Sequence, residues 1–209
     1  MKVLLGVTCS VATVLVGKLV DALHSSGHEV EVVATKSSRY FFRAKQVDAR
    51  IWNDEDEWPK NWFERIRLRV LERFYKKGQP IPHIDLRKWA DVLVVAPLDA
   101  NTLAKFSVGM CDNLLTCVFR AWDFDKPVVL APAMNTFMWH NPITQKYLGE
   151  LNLLRIMTVG TIRIVQPQDK VLACGDEGVG AMANISDIVD AVNKLNKTKT
   201  ADVAALTSK

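Results

Sequence analysis

Three polar loops carry residues suited to holding a phosphate. Thr8-Cys9-Ser10 and Thr35-Lys36-Ser37-Ser38 each follow a short apolar run, and Asp99-Ala100-Asn101-Thr102 follows a third. Hydroxyls and backbone N–H groups at a helix start suit a phosphate. The sequence contains neither GxGxxG nor a P-loop lysine motif, so these loops fit a mononucleotide better than a dinucleotide. Ser and Thr are also ordinary helix caps, and a purely structural role stays open here.

Three further segments contain residues suited to acid–base chemistry or binding. An imidazole is a common general base, and we expect His83 in a loop ahead of a Trp-rich helical turn. Asn135 lies in an apolar segment with two Met and a Trp, which would wall a flat aromatic cofactor, and its amide can donate to a carboxylate. Cys174 begins a Gly-rich loop, 172–182, of the kind that closes over a ligand. A surface histidine, an apolar core cluster and a structural turn are the respective alternatives.

Strand and helix patterns alternate along the chain and would position these loops. Strands are predicted at 3–7, 29–34, 91–96, 127–130 and 155–159, and helices at 11–26, from about 101, at 112–122, from 142 to about 151 and at 185–195. Continuous apolar strands are typical of a parallel sheet buried on both faces. The alternation predicts an α/β fold with a doubly wound parallel sheet. Residues 52–82 interrupt this alternation and are predicted to lie outside the sheet, with an amphipathic helix at 62–75. Ligands in such folds bind beyond the carboxyl ends of the strands, where the polar loops lie.

Composition excludes several classes of protein. The 209 residues are 49% hydrophobic and 24% charged, which is ordinary for one globular domain and disfavours disorder and coiled coils. The four Cys include no CxxC and do not cluster with the four His, which disfavours a zinc ribbon or a disulfide scaffold. We expect no metal site. We also expect a protein of a reducing compartment, with thiols that are mostly buried in its core.

Charge and hydropathy patterns bear on partners and location. The net charge is +4, but the basic residues are scattered apart from a cluster between Arg65 and Lys77, so no nucleic-acid partner is predicted. No apolar run reaches the roughly 18–20 residues that a membrane span needs, and no membrane partner is predicted. The N-terminal pattern lacks the features of a signal peptide, so we expect a cytoplasmic protein.

Several longer stretches resemble the flavin-dependent cysteine decarboxylases, in particular the phosphopantothenoylcysteine decarboxylase branch of coenzyme A biosynthesis. They follow the family's order over most of 2–195. PAMNTFMW at 132–139 and ACGDEGVGAMA at 173–183 are the most specific of them. The others are SVA at 10–12, TKSS at 35–38, DEDEW at 54–58, HIDLRKWADVLVVAPLDANTLAK at 83–105 and CDNLLTCVFRAWD at 111–123.

The resemblance implies a flavodoxin-like, Rossmann-like three-layer fold, FMN as cofactor and a set of site residues. FMN would be held by residues at the strand ends, which are Ser10, Val11, Ala12, Thr35, Ser37, Asp99, Ala100, Asn101, Thr102 and Ala133. The substrate would bind at Asn135, Met138 and Ala173, with Asn135 on its carboxylate. His83 would be the catalytic base and Cys174 the proton donor. The family forms homotrimers with active sites at subunit interfaces, and a heterotrimer is the alternative assembly.

The resemblance also implies a reaction on the small-molecule substrate phosphopantothenoylcysteine. Direct loss of CO₂ would leave an unstabilised carbanion, so FMN first oxidises the CH₂–SH group to a thioaldehyde. CO₂ loss then gives an enethiol, which is protonated and reduced to 4′-phosphopantetheine. Peptidyl-cysteine decarboxylases lack the matching Cys and release the enethiol, so Cys174 favours the reduced product. The alternative is a non-catalytic regulatory homologue that binds a protein phosphatase catalytic subunit, which the short, non-acidic tail disfavours.

The predicted domain spans 1–197, and 198–209 is expected to be a disordered tail. Three positions depart from the family pattern. Cys9 stands where the family usually has Gly, and a positive φ there would be costly. Val171 stands where relatives often have a basic residue. The segment at 61–79 is longer than in close relatives.

Overall fold

Strands β1 (Lys2–Val7) and β4 (Val92–Leu98) form the centre of a parallel sheet in the computed structural model, which describes residues 1–58, 77–158, 162–171, 175 and 177–195. The other strands of this sheet are β2 (Glu29–Ala34), β3 (Arg50–Trp52), β5 (Val128–Pro132) and β6 (Ile162–Ile164). All pairings are parallel, and the order is β3-β2-β1-β4-β5-β6. The order runs outward in both directions from β1 and β4, which confirms the predicted doubly wound fold.

Helices cover both faces of the sheet. They are α1 (Val16–Ser25), α2 (Asp54–Glu57), α3 (Pro82–Trp89), α4 (Ala100–Val108), α5 (Leu114–Arg120), α6 (Thr136–His140), α7 (Pro142–Met157) and α8 (185–195). Short 3₁₀ segments lie at Val11–Leu15, Lys36–Tyr40 and Ala44–Gln46. α1 and α8 pack on one face, and α3, α4, α5 and α7 pack on the other.

The strand β1 shows why the sheet is buried on both faces. Val3 and Leu5 belong to the core beneath α1 and α8, whereas Leu4 belongs to the opposite core. All three side chains are fully buried. Because successive strand residues point to opposite faces, a continuous apolar run satisfies both cores.

Three sequence predictions about elements were wrong, and a fourth, the helix at 11–26, was confirmed from Val16 onward as an α-helix. Residues 155–157 are helical because α7 continues to Met157, with Leu148, Leu151 and Leu154 packing on the core at helical spacing. The helix predicted at 11–26 begins as a 3₁₀ turn at Val11–Leu15. His83 lies in the first turn of α3 rather than in a loop, because Pro82 suits the start of a helix. The Gly-rich segment contains a strand.

That strand is β8 (Glu177–Ala181), which pairs antiparallel with β7 (Gln168–Val171) in a separate two-stranded sheet. The hairpin lies at the carboxyl end of β5. Met134, just after β5, donates its N–H to the Gly180 carbonyl at 2.9 Å. The helix predicted at 62–75 and the tail at 198–209 lie outside the described residues. Across the described ranges, none of the helices has the length and apolar character to cross a membrane.

Candidate functional site

A cavity of about 490 Å³ opens where β1, β4 and β5 end. The order of the strands changes direction between β1 and β4, and ligands of doubly wound folds bind at such a point. Eight of the predicted site residues line the cavity, namely Ser10, Val11, Ala12, Asp99, Ala100, Ala133, Asn135 and Met138. The structure therefore brings two of the three predicted cofactor loops, together with Ala133 and two predicted substrate residues, to one place.

Thr8 joins the two strand ends beneath the cavity. Its side-chain oxygen accepts a hydrogen bond from the Asp99 N–H at 2.7 Å and donates one to the Pro97 carbonyl at 2.8 Å. The Thr13 hydroxyl donates to the Thr8 carbonyl at 2.8 Å. Thr8 is fully buried, so these bonds hold the loop after β1 against the loop after β4. The sequence marks Thr8 only as a turn residue, because nothing local reveals a partner about 90 positions away.

Helix caps shape the loops of the predicted cofactor site. The Ser10 hydroxyl accepts from the Ala12 N–H at 3.3 Å, and the Asp99 carboxylate accepts from the Thr102 N–H at 2.7 Å. Thr102 is buried and Asn101 is exposed. These two residues lie in the first turn of α4 beside the cavity rather than in its wall.

Thr35 does not line the cavity but carries a buried polar atom that a ligand would satisfy. Its N–H donates to the Val7 carbonyl at 3.0 Å, which places it beside the end of β1. The Thr35 residue is 9% exposed, and its buried hydroxyl has no hydrogen-bond partner among the described residues. Such a group costs about 1–3 kcal/mol, and a polar ligand would relieve that cost. Ser37, predicted with it, is exposed on the following 3₁₀ turn.

The cavity wall also contains Asn135 and Met138, two of the three predicted substrate residues. Asn135 caps α6 by accepting from the Phe137 N–H at 2.8 Å, and Met138 is 47% exposed. Lys170 and Val171 of β7 line the cavity as well. Lys170 thus supplies a cation next to Val171, the position where a basic residue was expected. Lys170 was not predicted as a site residue because the polar segment Gln168–Val171 carries no strand pattern.

Cys9 lines the same cavity and is exposed. Partial burial, and secondarily the Asp99 carboxylate, raise the pKa of its thiol, which therefore stays protonated at neutral pH. Its φ is not positive, so the strain considered for a non-Gly residue there does not arise. Cys111 is exposed and Cys117 half-buried, so the expectation of mostly buried thiols was wrong for the described cysteines. The described residues contain no cluster of three side chains able to hold a metal ion.

His83 lies apart from the cavity of its own chain. Its Nδ1 lies 2.7 Å from Oε1 of Glu57, and its backbone N–H donates to Oε2 of Glu57 at 3.0 Å. Glu57 was not predicted as a site residue, although it belongs to the stretch DEDEW at 54–58 that carries the family resemblance. Ala173 and Cys174 lie outside the described residues.

A model of the flavoprotein family matches residues 1–197. The chain belongs to the flavoprotein family. Phosphopantothenoylcysteine decarboxylase of Mus musculus is 43% identical over 192 residues, covering 90% of this chain and 83% of that protein. The Oryza sativa enzyme of the same name is 45% identical over 196 residues, covering 93% and 80%. The resemblance identified from the sequence is therefore confirmed.

Solved structures of flavoprotein family members agree with the observed fold. A cysteine-to-serine mutant of PPC decarboxylase complexed with pantothenoylaminoethenethiol superposes with a TM-score of 0.81 at 43% identity, covering 94% of this chain and 98% of that one. The FMN binding protein AtHal3 gives a TM-score of 0.78 at 43% identity, with coverages of 94% and 97%.

Proposed function

We propose that this flavoprotein catalyses the FMN-dependent decarboxylation of phosphopantothenoylcysteine to 4′-phosphopantetheine in coenzyme A biosynthesis. The observation that carries the proposal is the cavity at the β1–β4 switch point, with Ser10 and Asp99 on one wall and Asn135 on another. It occurs in a chain that is 43–45% identical to phosphopantothenoylcysteine decarboxylases of mouse and rice. The protein is accordingly a carboxy-lyase.

The residues at the strand ends fit FMN. Thr35 supplies a buried hydroxyl that lacks a partner within the described part of the chain, and Ser10 and Ala12 lie at the 3₁₀ helix start after β1. Ala100 and Ala133 leave room for a flat ring between the loops after β4 and β5. Bound FMN supplies a two-electron acceptor and donor, the chemistry that a cysteine-derived carboxylate needs before it can lose CO₂.

Asn135 and Lys170 orient the anionic substrate in this proposal. The bond from the Phe137 N–H to Oδ1 of Asn135 fixes which side of the amide is the acceptor, so Nδ2 is its donor side. A substrate carboxylate accepts from such a donor without a change in charge. The Lys170 ammonium adds positive charge to the same cavity, which suits the carboxylate or the phosphate of the substrate.

His83 and Cys174 move protons in the proposed reaction. His83 removes the proton from the substrate thiol as general base, and the Cys174 thiol protonates the enethiol carbon after CO₂ has left. The solved cysteine-to-serine mutant of PPC decarboxylase that holds an enethiol supports a cysteine in the second role.

A homotrimer with shared active sites accounts for the position of His83. His83 does not line the cavity of its own chain, so a neighbouring chain would bring it to the substrate. Phe137, 80% exposed, and Met138, 47% exposed, give the chain an apolar surface beside the cavity for this contact. An assembly with a different subunit is the alternative. The cytoplasmic location stays a prediction from the sequence.

The function is tested by incubating the purified FMN-loaded protein with phosphopantothenoylcysteine and analysing the product by mass spectrometry. We expect a product lighter by one CO₂ and otherwise unchanged in hydrogen content. A product also lacking two hydrogens would indicate release of the enethiol, as in peptidyl-cysteine decarboxylases. Bound flavin without turnover would instead favour the regulatory homologue, and a protein that fails to take up FMN would overturn the proposal.

The shared site is tested by mixing two inactive variants, His83→Asn and Asn135→Ala, under conditions that allow subunit exchange. We expect part of the activity to return, because some sites in mixed trimers combine an intact His83 with an intact Asn135. Light scattering should give the mass of three chains. If mixing restores nothing although the subunits exchange, the base does not come from a neighbouring chain.

A further inference from the structure

We propose that Glu57 is the positioning residue for His83, holding its imidazole in the tautomer that leaves Nε2 able to accept a proton. This inference rests on the proposed function. The two oxygens of one carboxylate contact two nitrogens of one residue, Oε1 with Nδ1 at 2.7 Å and Oε2 with the backbone N–H at 3.0 Å. The Glu57 side chain is 8% exposed and the His83 side chain 25%, so the pair is largely shielded from water.

The carboxylate decides which ring nitrogen carries the proton. An ionised carboxylate only accepts hydrogen bonds, so Nδ1 must be the protonated nitrogen in neutral His83. The lone pair then lies on Nε2, the nitrogen that Glu57 does not contact. A general base needs such a lone pair and a fixed ring orientation, and a carboxylate behind the imidazole provides both.

Both partners of the Glu57–His83 contact belong to helices, with Glu57 at the end of α2 and His83 at the start of α3. Asp54, at the start of α2, accepts a hydrogen bond from the Leu114 N–H at 2.9 Å, which ties α2 to the start of α5. Glu57 is the last residue of α2 and faces the first turn of α3. The N–H of His83 is one of the first four in α3 and has no acceptor within that helix. A carboxylate at this helix start also interacts favourably with the helix dipole.

Replacement of Glu57 by glutamine should reverse the tautomer, because the side chain then has one acceptor and one donor instead of two acceptors. The backbone N–H of His83 is always a donor and takes the single amide oxygen. The NH₂ group then faces Nδ1, which must be unprotonated to accept from it. The ring proton therefore moves to Nε2. Nε2 then has no lone pair with which to accept a proton from the substrate.

The test is the Glu57→Gln variant, loaded with FMN and labelled with ¹⁵N in histidine. Two-dimensional ring ¹H–¹⁵N spectra at alkaline pH report the tautomer, with the His83 signals assigned from their loss in His83→Asn. We expect an Nδ1–H tautomer in the unsubstituted protein and an Nε2–H tautomer in the variant. We expect kcat to fall about 10²–10⁴-fold, the usual size of a general-base contribution, with KM changed less than about threefold.

Two further variants separate positioning from folding. Glu55→Gln removes an exposed carboxylate two residues away and should leave the tautomer and kcat unchanged. Glu57→Asp keeps two acceptor oxygens on a shorter arm, so it should retain the Nδ1–H tautomer and recover part of kcat. If Glu57→Gln does not fold, an Nε2–H tautomer in the unsubstituted protein or in Glu57→Asp overturns the inference.

The outcomes distinguish this inference from the proposed function. An unchanged tautomer with an unchanged kcat in folded Glu57→Gln overturns the positioning role. A reversed tautomer in a protein that releases no CO₂ even when unsubstituted supports the Glu57–His83 relationship and refutes the decarboxylase.

Discussion

A Cβ atom placed on Gly180 would lie 2.3 Å from the carbonyl oxygen of Met134. The Met134 N–H also donates to the Gly180 carbonyl at 2.9 Å. Because both contacts are made by backbone atoms, β8 meets the segment before Asn135 without room for any side chain. Gly180 also has a φ of +154°, a conformation that L-residues rarely adopt.

We expect Gly180→Ala to displace the β7–β8 hairpin from the cavity wall. The clash is with backbone, so it should lower the free energy of unfolding by about 1–3 kcal/mol. It should raise KM as well, because Lys170 moves with the hairpin. Gly149→Ala is the matched control, since its added Cβ would have no atom within 4 Å from the described residues beyond its own stretch of helix. It should stabilise α7 by about 0.5–1 kcal/mol. Denaturant unfolding gives the free energy of unfolding of each variant, and steady-state kinetics gives its KM. Equal values for the two variants would refute the close approach of β8 to Met134.

Thr35→Val should weaken FMN binding without destabilising the apoprotein. The valine keeps the shape of the side chain and removes a buried hydroxyl that has no partner in the described region. Loss of one hydrogen bond to FMN corresponds to about 3- to 10-fold in Kd. Flavin fluorescence titration and thermal unfolding of the apoprotein measure the two quantities.

Thr13→Val is the control for that substitution, because its hydroxyl is equally buried but donates to the Thr8 carbonyl at 2.8 Å. It should destabilise the apoprotein by about 1–3 kcal/mol. A destabilised Thr35→Val apoprotein with unchanged FMN affinity would mean that the Thr35 hydroxyl serves the fold rather than the cofactor.

The Cys9 thiol should react with iodoacetamide only at higher pH than a free cysteine. Burial is the larger cause of its raised pKa and the Asp99 carboxylate the smaller one. Because the thiolate is the reactive form, a raised pKa lowers the rate at neutral pH. Asp99→Asn keeps a helix-capping residue and should move the midpoint partly back, whereas Asp21→Asn, an exposed carboxylate in α1, should not. Peptide mass spectrometry of the apoprotein across a pH series gives each midpoint, and identical midpoints would contradict the assignment.

Cys117 provides a comparison within the same digest. Burial and the neighbouring Cys111 and Glu57 raise the pKa of its thiol to about 11. Its alkylation midpoint should therefore lie well above that of an ordinary cysteine.

Cys174→Ser should stop the reaction at the enethiol. CO₂ release would continue, but the product would lack two hydrogens because a serine hydroxyl is a much weaker acid than a thiol. Cys9→Ser is the necessary control, since Cys9 lines the cavity and its thiol is protonated at neutral pH. If Cys9→Ser accumulates the enethiol and Cys174→Ser does not, the proton donor is Cys9.

His83→Asn should abolish CO₂ release while the protein stays folded and yellow. Asparagine lacks a group that takes up a proton near neutral pH, so the thiol proton has no acceptor. The cavity is lined by other residues, and FMN content should be unchanged. The measurements are ¹⁴CO₂ release and flavin absorbance, and sustained turnover would remove His83 from the mechanism.

The strands β1 and β2 were predictable because they are largely buried on both faces and therefore consist mostly of apolar residues. Val3–Val7 and Glu29–Ala34 coincide with β1 and β2 to within one residue. The loops after these strands were predictable as ligand sites because parallel strands bring their carboxyl ends together. The positions of Ser10, Asp99 and Asn135 around one cavity follow from that rule.

The contacts that complete the site depend on residues far apart in sequence. Neither Thr8 with Asp99 nor Glu57 with His83 leaves a local pattern, since each pair is set by the packing of separate elements. The strand β8 was missed because Gly178 and Gly180 have little intrinsic preference for strands, and because the hydrogen bond from the Met134 N–H to the Gly180 carbonyl joins residues far apart in sequence.

The cavity wall combines Cys9 and Ser10, which follow β1, with Lys170 and Gly180 of the β7–β8 hairpin. A ligand that bridges two such distant segments binds only when the intervening sheet has assembled, so it favours the whole native state by mass action. At a flavin concentration of about 100 times its Kd, that gain is about 2.7 kcal/mol, comparable to the loss from a typical damaging substitution. Saturation with flavin would then offset the effect of many destabilising substitutions, including those far from the cavity.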